Sequence, residues 1–449
     1  MTNITVDLKN TNGPIKPMNA VNNGTVGDEV RKSGNFMDYK ELEIPYARNH
    51  DAAFCDAYGG PYTVDVLNIF RDFDADENDP ASYLFESTDK YIKSTLAAGT
   101  ETFYRLGSKI EHNYKHQTFP PKDFAKWARI CEHIIRHYNE GWADGFNYGI
   151  EYWEIWNEPD CINADGSNPC WQGTEEQFID FYEVAAKYLK SCFPNLKIGG
   201  PAFCSPWKND FMHAFLKAVK DREIPLDFFS YHCYAEEPRR VYDTVLVAEE
   251  ALAEAGLQGT FTSLNEWNYV RGWSGADYRY SKDTMRGLKG AAFVAGTMGI
   301  CQNSSVDMLM YYDARPSAWN GIWDFYTNQR FKTFYSFLMF RDLRRLGTWV
   351  PTPRLSGEYE SVYSCAATNG KDSAIMLTHF RDDETTPATQ VKLDLENVSS
   401  ENGVRVEYYL LDETHDLEKV REEVFTSDRF SLCFDMELYS SYMIKIIAL

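Results

Sequence analysis

The chain has 449 residues, a formal net charge of −22 and 15% aromatic residues. This length exceeds one average domain, so we expect a large domain plus a smaller one. The negative charge argues against a nucleic-acid or anionic-membrane partner, because phosphate affinity depends on Lys and Arg. No apolar run reaches the ~20 residues that cross a bilayer.

The N-terminus and the cysteines bear on localisation. Residues 1–8 lack the basic end and apolar core of a secretory signal, so we expect a cytoplasmic protein, and export with a removed leader stays open. The ten cysteines include no Cys-x-x-Cys pair, so neither a zinc site nor a redox motif is expected. Cys161 and Cys170 would pair only in an exported protein, since a reducing cytosol keeps them as thiols.

Short apolar runs alternate with helical patterns between residues 17 and 345. The predicted strands are Met18–Val21, Leu42–Arg48, Glu101–Leu106, Ile150–Trp156, Leu196–Ile198, Asp227–Tyr231, Gly259–Asn265 and Val306–Tyr312. Several lack clean alternation, as strands buried on both faces do. Residues 124–138 and 178–189 carry apolar residues at helical spacing, and Thr174-Glu175-Glu176-Gln177 before the second run is a capping-box pattern. This α/β alternation predicts a parallel sheet closed into a (β/α)8 TIM barrel over residues 17–345.

After residue 345 the pattern changes to short β-rich runs separated by polar turns. The predicted strands are Ser361–Thr368, Ser373–Phe380, Thr389–Leu395, Gly403–Leu411, Arg429–Phe434 and Ser440–Ile447. No helical period accompanies them, so residues 346–449 are predicted to form an antiparallel β-sandwich.

Two glutamates end predicted barrel strands. Glu158, in Trp156-Asn157-Glu158-Pro159, follows the fourth strand, and Pro159 cannot continue a sheet ladder. Glu266 follows the seventh strand, 108 residues later. The carboxyl ends of barrel strands form the catalytic face, and glycoside hydrolysis needs two carboxyl groups flanking one bond. The pair predicts a glycosidase site; the alternative is two surface glutamates that each follow a strand.

Segments around both glutamates resemble glycoside hydrolase family 39, which includes β-xylosidases and α-L-iduronidases. The segments are Pro120–Phe124, Trp153–Pro159, Leu196–Ala202, Asp227–Tyr234 and Asn265–Asn268. They keep their order through most of residues 17–345. The resemblance implies a retaining glycosidase that needs no cofactor and no metal. It also implies that residues 1–16 contribute a strand, Ile4–Leu8, to the sandwich.

The resemblance assigns roles at the site. Glu158 would be the general acid/base and Glu266 the nucleophile, about 5–5.5 Å apart as retention requires. Asn157 would donate to the sugar 2-hydroxyl, or instead cap the loop after the strand. Tyr234 would donate to the nucleophile. His232, unless it is only a satisfied core histidine, would contact sugar hydroxyls or Glu158.

Two further regions carry residues that are expected to contact the sugar. His50, in Asn49-His50-Asp51, matches the family's sugar-contacting histidine, although the family commonly has a glycine beside it. The eighth strand departs from the family xylosidases, which carry a Tyr-Trp pair followed by small polar residues. Here Tyr312 would replace the stacking tryptophan. Asp313 and Arg315 would form an ion pair or a hydrogen-bonding fork near the sugar, or instead a structural salt bridge at the barrel rim.

Trp171 and Trp273 are predicted pocket walls, with an aromatic-rich core as the alternative for the tryptophans in general. We expect an exo-acting glycosidase whose partner is an oligosaccharide or glycoside, with β-D-xylosidase-like activity as first choice. An α-L-iduronidase-like or α-L-arabinofuranosidase-like activity is the alternative, and Arg315 would favour a uronate if it points into the pocket. In another class, the chain would be a non-catalytic carbohydrate-binding barrel. A homo-oligomer stays open.

Overall fold

The computed structural model describes residues 2–25, 27, 34–50, 65–107, 118–317, 319–353, 361–398 and 402–449. The strands are β1 (Thr2–Asp7), β2 (Ala20–Asn22), β3 (Tyr46–Asn49), β4 (Glu101–Leu106), β5 (Tyr152–Ile155), β6 (Lys197–Phe203), β7 (Phe228–Ala235), β8 (Phe261–Tyr269), β9 (Met308–Tyr311), β10 (Thr348–Val350), β11 (Val362–Thr368), β12 (Ser373–His379), β13 (Thr389–Glu396), β14 (Val404–Leu411), β15 (Asp416–Phe425), β16 (Phe430–Met436) and β17 (Ser441–Ala448). The helices are α1 (Phe36–Leu42), α2 (Val66–Ile69), α3 (Glu86–Ala97), α4 (Phe124–Glu140), α5 (Glu175–Cys192), α6 (Asp210–Asp221), α7 (Pro238–Glu254), α8 (Gly275–Arg286), α9 (Leu288–Gln302) and α10 (Lys332–Leu346), with a 3-10 turn at Pro80–Ser82.

Strands β2 to β9 form a closed barrel in chain order. The pairs from β2 to β7 are parallel, with helices between them, which confirms the predicted (β/α)8 barrel. Strand β4 has the predicted bounds. The predicted start of the second strand at Leu42 is wrong, because residues 36–42 form α1. Phe36, Tyr39 and Leu42 are its buried residues, and their spacing of three is that of a helix face.

Strands β7 and β8 extend past their predicted ends at Tyr231 and Asn265. β7 reaches Ala235 and β8 reaches Tyr269, so His232 and Glu266 lie inside strands rather than at strand tips. The predictions stopped at the first ionisable residue, although the aromatic residues that follow favour a strand. A charged side chain can occupy an inner position of a strand where the fold supplies partners for it.

Local signals begin and end the helices that precede and follow β5. The Asp123 side chain accepts a hydrogen bond from the Lys126 backbone N–H (2.9 Å) at the start of α4, and Gly141 ends this helix in the left-handed region. At the start of α5, Thr174 and Gln177 form the capping box that the sequence predicts.

The C-terminal strands form two sheets, one with the order β1-β13-β16 and one with the order β10-β11-β12-β17-β14-β15. β1 pairs in parallel with β13, while the other strand pairs are antiparallel. Buried apolar residues of both sheets form one core, including Val6, Leu393 and Ile444. The predicted sandwich is confirmed. Sequence reasoning missed β10 and β15, and β15 lies at a sheet edge where exposed charged residues discourage further pairing.

The chain divides into two compact units. The N-terminal unit comprises Ala20–Cys233 and Leu246–Glu266, and the C-terminal unit comprises Met1–Asn19, Tyr234–Val245 and Trp267–Leu449. The predicted domain bounds at residues 16/17 and 345/346 stay predictions. No helix in the described part of the chain is sufficiently long and apolar to span a membrane.

Candidate active site

The backbone after β5 turns sharply at the Trp-Asn-Glu-Pro segment. Trp156 and Glu158 have φ angles of 75° and 48°, in the left-handed region that residues with a side chain seldom adopt. The Glu158 N–H donates to the Ala202 carbonyl of β6 (2.9 Å). A Cβ atom at Gly200 would lie 2.7 Å from the Ile155 carbonyl oxygen, so glycine permits this close approach of β6 to β5.

Glu158, His232 and Glu266 converge in the N-terminal unit. One carboxylate oxygen of each glutamate and one His232 ring nitrogen lie within 4.8 Å of one another. His232 Nδ1 is 3.0 Å from a Glu158 oxygen, and Nε2 is 3.5 Å from a Glu266 oxygen. Burial lowers the pKa of His232, but the charge of Glu266 and the hydrogen bond with Glu158 outweigh it, so this pKa is raised. The raised pKa favours an imidazolium, whose Nδ1–H donates to Glu158, while Nε2 makes no hydrogen bond to any described residue and faces the Glu266 charge across 3.5 Å.

Glu266 is the more enclosed of the two glutamates. Its side chain is 6% exposed, against 20% for Glu158. The Glu266 Oε1 atom lies 2.9 Å from Arg48 Nη1 and 3.1 Å from His50 Nε2. These cationic and N–H groups favour the ionised form of Glu266.

The position of His50 is set by its own backbone. The His50 N–H donates to the Asn23 side chain (3.2 Å), and Arg105 donates to the His50 carbonyl (3.1 Å). The structure therefore places His50 beside Glu266, and its predicted contact with the sugar stays a prediction. Asp51 of the predicted motif lies outside the described residues.

Arg48 connects the site residues, and sequence reasoning missed it. Its Nε atom lies 2.6 Å from Glu154, Nη1 donates to Glu266, and Nη2 donates to the Asn157 side-chain oxygen (2.5 Å). Burial lowers the pKa of Arg48, but attraction to Glu154 and Glu266 exceeds this effect and raises it. The guanidinium thus remains charged although it is fully buried.

Glu154 is the second missed residue. The other oxygen of its carboxylate accepts hydrogen bonds from the Ser230 hydroxyl (2.6 Å) and the Asn265 amide (2.5 Å). A signal was available in the sequence, because Arg48 and Glu154 are opposite charges inside short runs predicted as buried strands. A charge in such a run needs a buried partner.

The side chain of Asn157 is oriented by Arg48. Its oxygen accepts from that guanidinium, while its buried Nδ2 atom has no hydrogen-bond partner among the described residues. The acceptor is thus occupied and the donor remains available to a ligand. This arrangement does not resemble the alternative of a loop cap, in which the side chain would bond to nearby backbone.

Trp171, a predicted pocket wall, is 1% exposed. Its ring packs edge-on against Trp156 and Phe178, at centroid distances of 5.2 and 5.1 Å, and its indole N–H donates to the Thr174 carbonyl (2.9 Å). These are the contacts of an aromatic core residue. Its role as a pocket wall stays a prediction.

An aromatic cluster in the C-terminal unit contains three other predicted site residues, Tyr234, Trp273 and Tyr312. Tyr234 lies 5.0 Å from Trp273, 6.4 Å from Tyr312 and 6.2 Å from Trp319, measured between ring centroids. Trp273 is 61% exposed, whereas Tyr312 is buried. Edge-on rings with an exposed indole suit stacking on a flat apolar ligand face. The predicted hydrogen bond of Tyr234 to the nucleophile stays a prediction.

Asp313 and Arg315 form an ion pair within one loop. Arg315 Nη2 lies 3.4 Å from Asp313 Oδ2, and both side chains are buried. Asp313 also accepts hydrogen bonds from the Arg315 backbone N–H (2.5 Å) and the Ser317 hydroxyl (3.2 Å). These contacts are those of a structural ion pair, one of the two predicted alternatives, and the contribution of either residue to sugar binding stays a prediction.

Within the described part of the chain, two groups of side chains have metal-binding chemistry. One comprises Glu158, His232 and Glu266, and the other comprises Glu158, Cys161 and Cys204. Cys161 and Cys170, predicted to pair only in an exported protein, are not joined by a disulfide in the structure.

The part of the chain that carries both glutamates also matches a family of known proteins. Residues 3–267 match Glycosyl hydrolases family 39. A beta-xylosidase of Geobacillus stearothermophilus is 30% identical over 191 residues, which are 38% of this chain and 35% of that protein. The chain thus matches about a third of the length of this curated relative.

Solved structures match over the full chain. A glucosidase from Croceicoccus marinus has a TM-score of 0.79 at 20% identity, covering 100% of this chain and 99% of that one. A monomeric beta-xylosidase from Caulobacter crescentus CB15 has a TM-score of 0.73 at 17% identity, with 100% of both chains covered. At these identities the likeness concerns the fold.

Proposed function

Because the chain belongs to glycosyl hydrolase family 39, we propose that it is a retaining exo-glycosidase that removes a terminal sugar by double displacement. The first candidate substrate is a β-D-xyloside. One observation carries the proposal: carboxylate oxygens of Glu158 and Glu266 lie within 4.8 Å of each other. Retaining glycosidases place their two carboxyl groups about 5–5.5 Å apart, whereas inverting enzymes need about 6.5–9.5 Å to admit a water molecule.

In this proposal Glu266 is the nucleophile. Arg48, His50 and His232 surround its Oε1 atom, so the carboxylate is ionised before substrate binds. It attacks the anomeric carbon and forms a glycosyl ester, while the bond from that carbon to the leaving oxygen breaks. The negative charge of Glu266 is lost in this step.

Glu158 is the proposed acid/base. It donates a proton to the leaving oxygen in the first step, and in the second step it takes a proton from the water that hydrolyses the ester. Its partial exposure suits contact with both a leaving group and water. Loss of charge on Glu266 between the two steps lowers the pKa of Glu158 at the moment when it must act as a base.

Asn157 is the proposed donor to the 2-hydroxyl of the sugar. Its Nδ2 atom is buried and lacks a partner in the described part of the chain, while Arg48 fixes the amide orientation. A preoriented neutral donor binds more strongly as charge develops at the anomeric centre.

The sugar is tested with a panel of aryl glycosides: β-D-xyloside, β-D-glucoside, α-L-iduronide and α-L-arabinofuranoside. We expect the highest kcat/KM on the β-D-xyloside, in line with the beta-xylosidase relative. NMR of the first product should show the β anomer before mutarotation. Initial formation of the α anomer would contradict double displacement, and turnover of another sugar alone would replace the xyloside assignment.

The acid/base role is tested with Glu158→Ala. The variant should lose most activity on alkyl xylosides, whose poor leaving group needs protonation, and much less on a dinitrophenyl xyloside. Azide, a small nucleophile that needs no general base, should restore turnover and yield a β-glycosyl azide. Equal losses on both substrates would contradict the role. Oligosaccharide binding without turnover of any glycoside by the unaltered protein would favour the carbohydrate-binding barrel.

A further inference from the structure

Three cysteine thiols surround Glu158. Cys170 Sγ lies 3.8 Å from Glu158 Oε2. The sulfur atoms of Cys161 and Cys204 and one Glu158 carboxylate oxygen lie within 4.8 Å of one another. Cys161 and Cys170 follow β5, while Cys204 directly follows β6. Their spacing in sequence resembles no metal motif, so the sequence by itself predicts no metal site here.

Hydrogen bonds fix the backbone that carries these thiols. The Asp160 carboxylate accepts from the Cys204 N–H (2.9 Å) and from the Asn209 side chain (2.6 Å), which ties the loop after β5 to the loop after β6. The Cys161 N–H donates to the Glu158 carbonyl (3.2 Å). The cysteines are therefore held beside the carboxylate by the fold.

We propose that Cys161, Cys204 and Glu158 bind one soft or borderline divalent cation, of the Zn²⁺ and Cd²⁺ class. Thiolates select such ions, and two thiolates with a carboxylate supply three ligands of a tetrahedral site. Each thiol loses its proton on binding. Zn–S bonds of about 2.3 Å place tetrahedral ligands about 3.8 Å apart, so the three groups need to close by only about 1 Å. Water or the Cys170 thiol takes the fourth position.

The expected consequence of binding is inhibition. A carboxylate that ligates a cation can neither carry nor accept the proton that the leaving group and water require. This consequence, unlike the binding itself, rests on the proposed function. The bound cation thus acts as a reversible inhibitor, because it occupies the Glu158 carboxylate and takes no part in the reaction itself.

The binding test uses Cd²⁺ and the full chain, reduced and then freed of reductant under nitrogen. The unaltered protein should bind one Cd²⁺ per chain, with the ultraviolet charge-transfer absorption of cadmium–thiolate bonds. Cys161→Ser and Cys204→Ser should each weaken binding more than about 100-fold, because a hydroxyl is a poor ligand for a soft ion. Cys433→Ser, which alters an exposed thiol on β16, is the matched control and should bind normally. Normal Cd²⁺ affinity in Cys161→Ser and Cys204→Ser would overturn the proposal.

A second measurement separates this proposal from the proposed function. Zn²⁺ should inhibit aryl xyloside hydrolysis by the unaltered protein and by Cys433→Ser, and EDTA should reverse this. Cys161→Ser and Cys204→Ser should hydrolyse the substrate but need at least about 100-fold more Zn²⁺ for inhibition. Inhibition of all variants at one Zn²⁺ concentration would overturn the proposal. Site-specific Cd²⁺ binding by a protein that hydrolyses no glycoside would uphold the site and refute the proposed function.

Discussion

The charged network around Arg48 and the core of the sandwich are both buried, yet the first consists of charged side chains and the second of apolar side chains. Arg48, Glu154 and Glu266 are charged groups with almost no exposure. The sandwich core consists of aliphatic and aromatic side chains such as Val6 and Leu393. Burial of apolar surface stabilises a fold by roughly 25 cal/mol per Å². Burial of ions costs several kcal/mol each, which only good partner geometry offsets.

The difference indicates what each region contributes. The sandwich core is expected to stabilise the fold, and other apolar side chains of similar shape would stabilise it equally well. The charged network is expected to position Glu266 and Asn157 at a cost in stability. Substitutions should therefore separate the two regions, since those in the charged network should lower kcat/KM whether or not they lower stability, and those in the sandwich core should lower only the free energy of unfolding.

The largest effect is expected for Glu266→Gln. Loss of the nucleophile should lower kcat/KM by about four orders of magnitude or more, while the melting temperature changes little because the amide keeps the shape of the carboxylate. Steady-state kinetics and thermal unfolding check this. Glu86→Gln, at an exposed site on α3, is the control. A Glu266→Gln protein with more than a tenth of the original activity would refute the nucleophile role.

Arg48→Met tests the cost of the buried charges. Removal of the guanidinium leaves Glu154 buried without its cation, so the free energy of unfolding should fall by about 3–5 kcal/mol. The double variant Arg48→Met/Glu154→Gln should regain part of this stability and none of the activity, because Glu266 and Asn157 still lack their donor. Urea unfolding measures both. Equal stability of the single and double variants would show that the two charges are not coupled.

Leu393→Ala tests the sandwich core. This residue of β13 faces Ile4 of β1 and Leu432 of β16 in register. The truncation should lower the free energy of unfolding by about 2–5 kcal/mol and leave kcat/KM of the folded protein unchanged. Leu393→Met, which nearly conserves volume, should cost less than about 1.5 kcal/mol. A change in kcat/KM larger than the change in folded fraction would contradict the separation.

The smallest effect is expected at a peripheral ion pair. A hydrogen bond from Arg129 (2.7 Å) lowers the pKa of Glu77 to about 2. Since this pKa is below the value of an unfolded chain, the stabilisation is present above about pH 4.5 and disappears as the pH falls through 2. Glu77→Gln should cost about 1 kcal/mol or less at pH 7 and nothing below pH 2.

Melting temperatures of the Glu77→Gln and unaltered proteins should therefore converge as the solution is acidified. The exposed Glu418 provides the control, and Glu418→Gln should leave the melting temperature unchanged at each pH. A constant difference between Glu77→Gln and the unaltered protein from pH 7 to pH 2 would show that ionisation of Glu77 is not its source.

Elements with a local signal were predictable. Strand β4 has the predicted bounds, and the Thr174–Gln177 capping box begins α5 as predicted. The charged strand β15 was missed because an edge strand that faces solvent shows no apolar period. The ends of β7 and β8 were placed too early, since a single sequence does not reveal which inner charge will find a partner.

The alternation of strands and helices, the change to a β-sandwich, and the two glutamates that follow apolar runs can all be read from the sequence. Those signals arise from neighbours along the chain. Only the tertiary structure shows that Arg48 meets Glu154 across 106 residues, that the Asn157 Nδ2 donor has no partner among the described residues, and that the Cys161 and Cys204 thiols meet beside Glu158. The physical reason is that barrel closure brings together side chains from distant strands, and the energy of a buried charge or thiol depends on those neighbours.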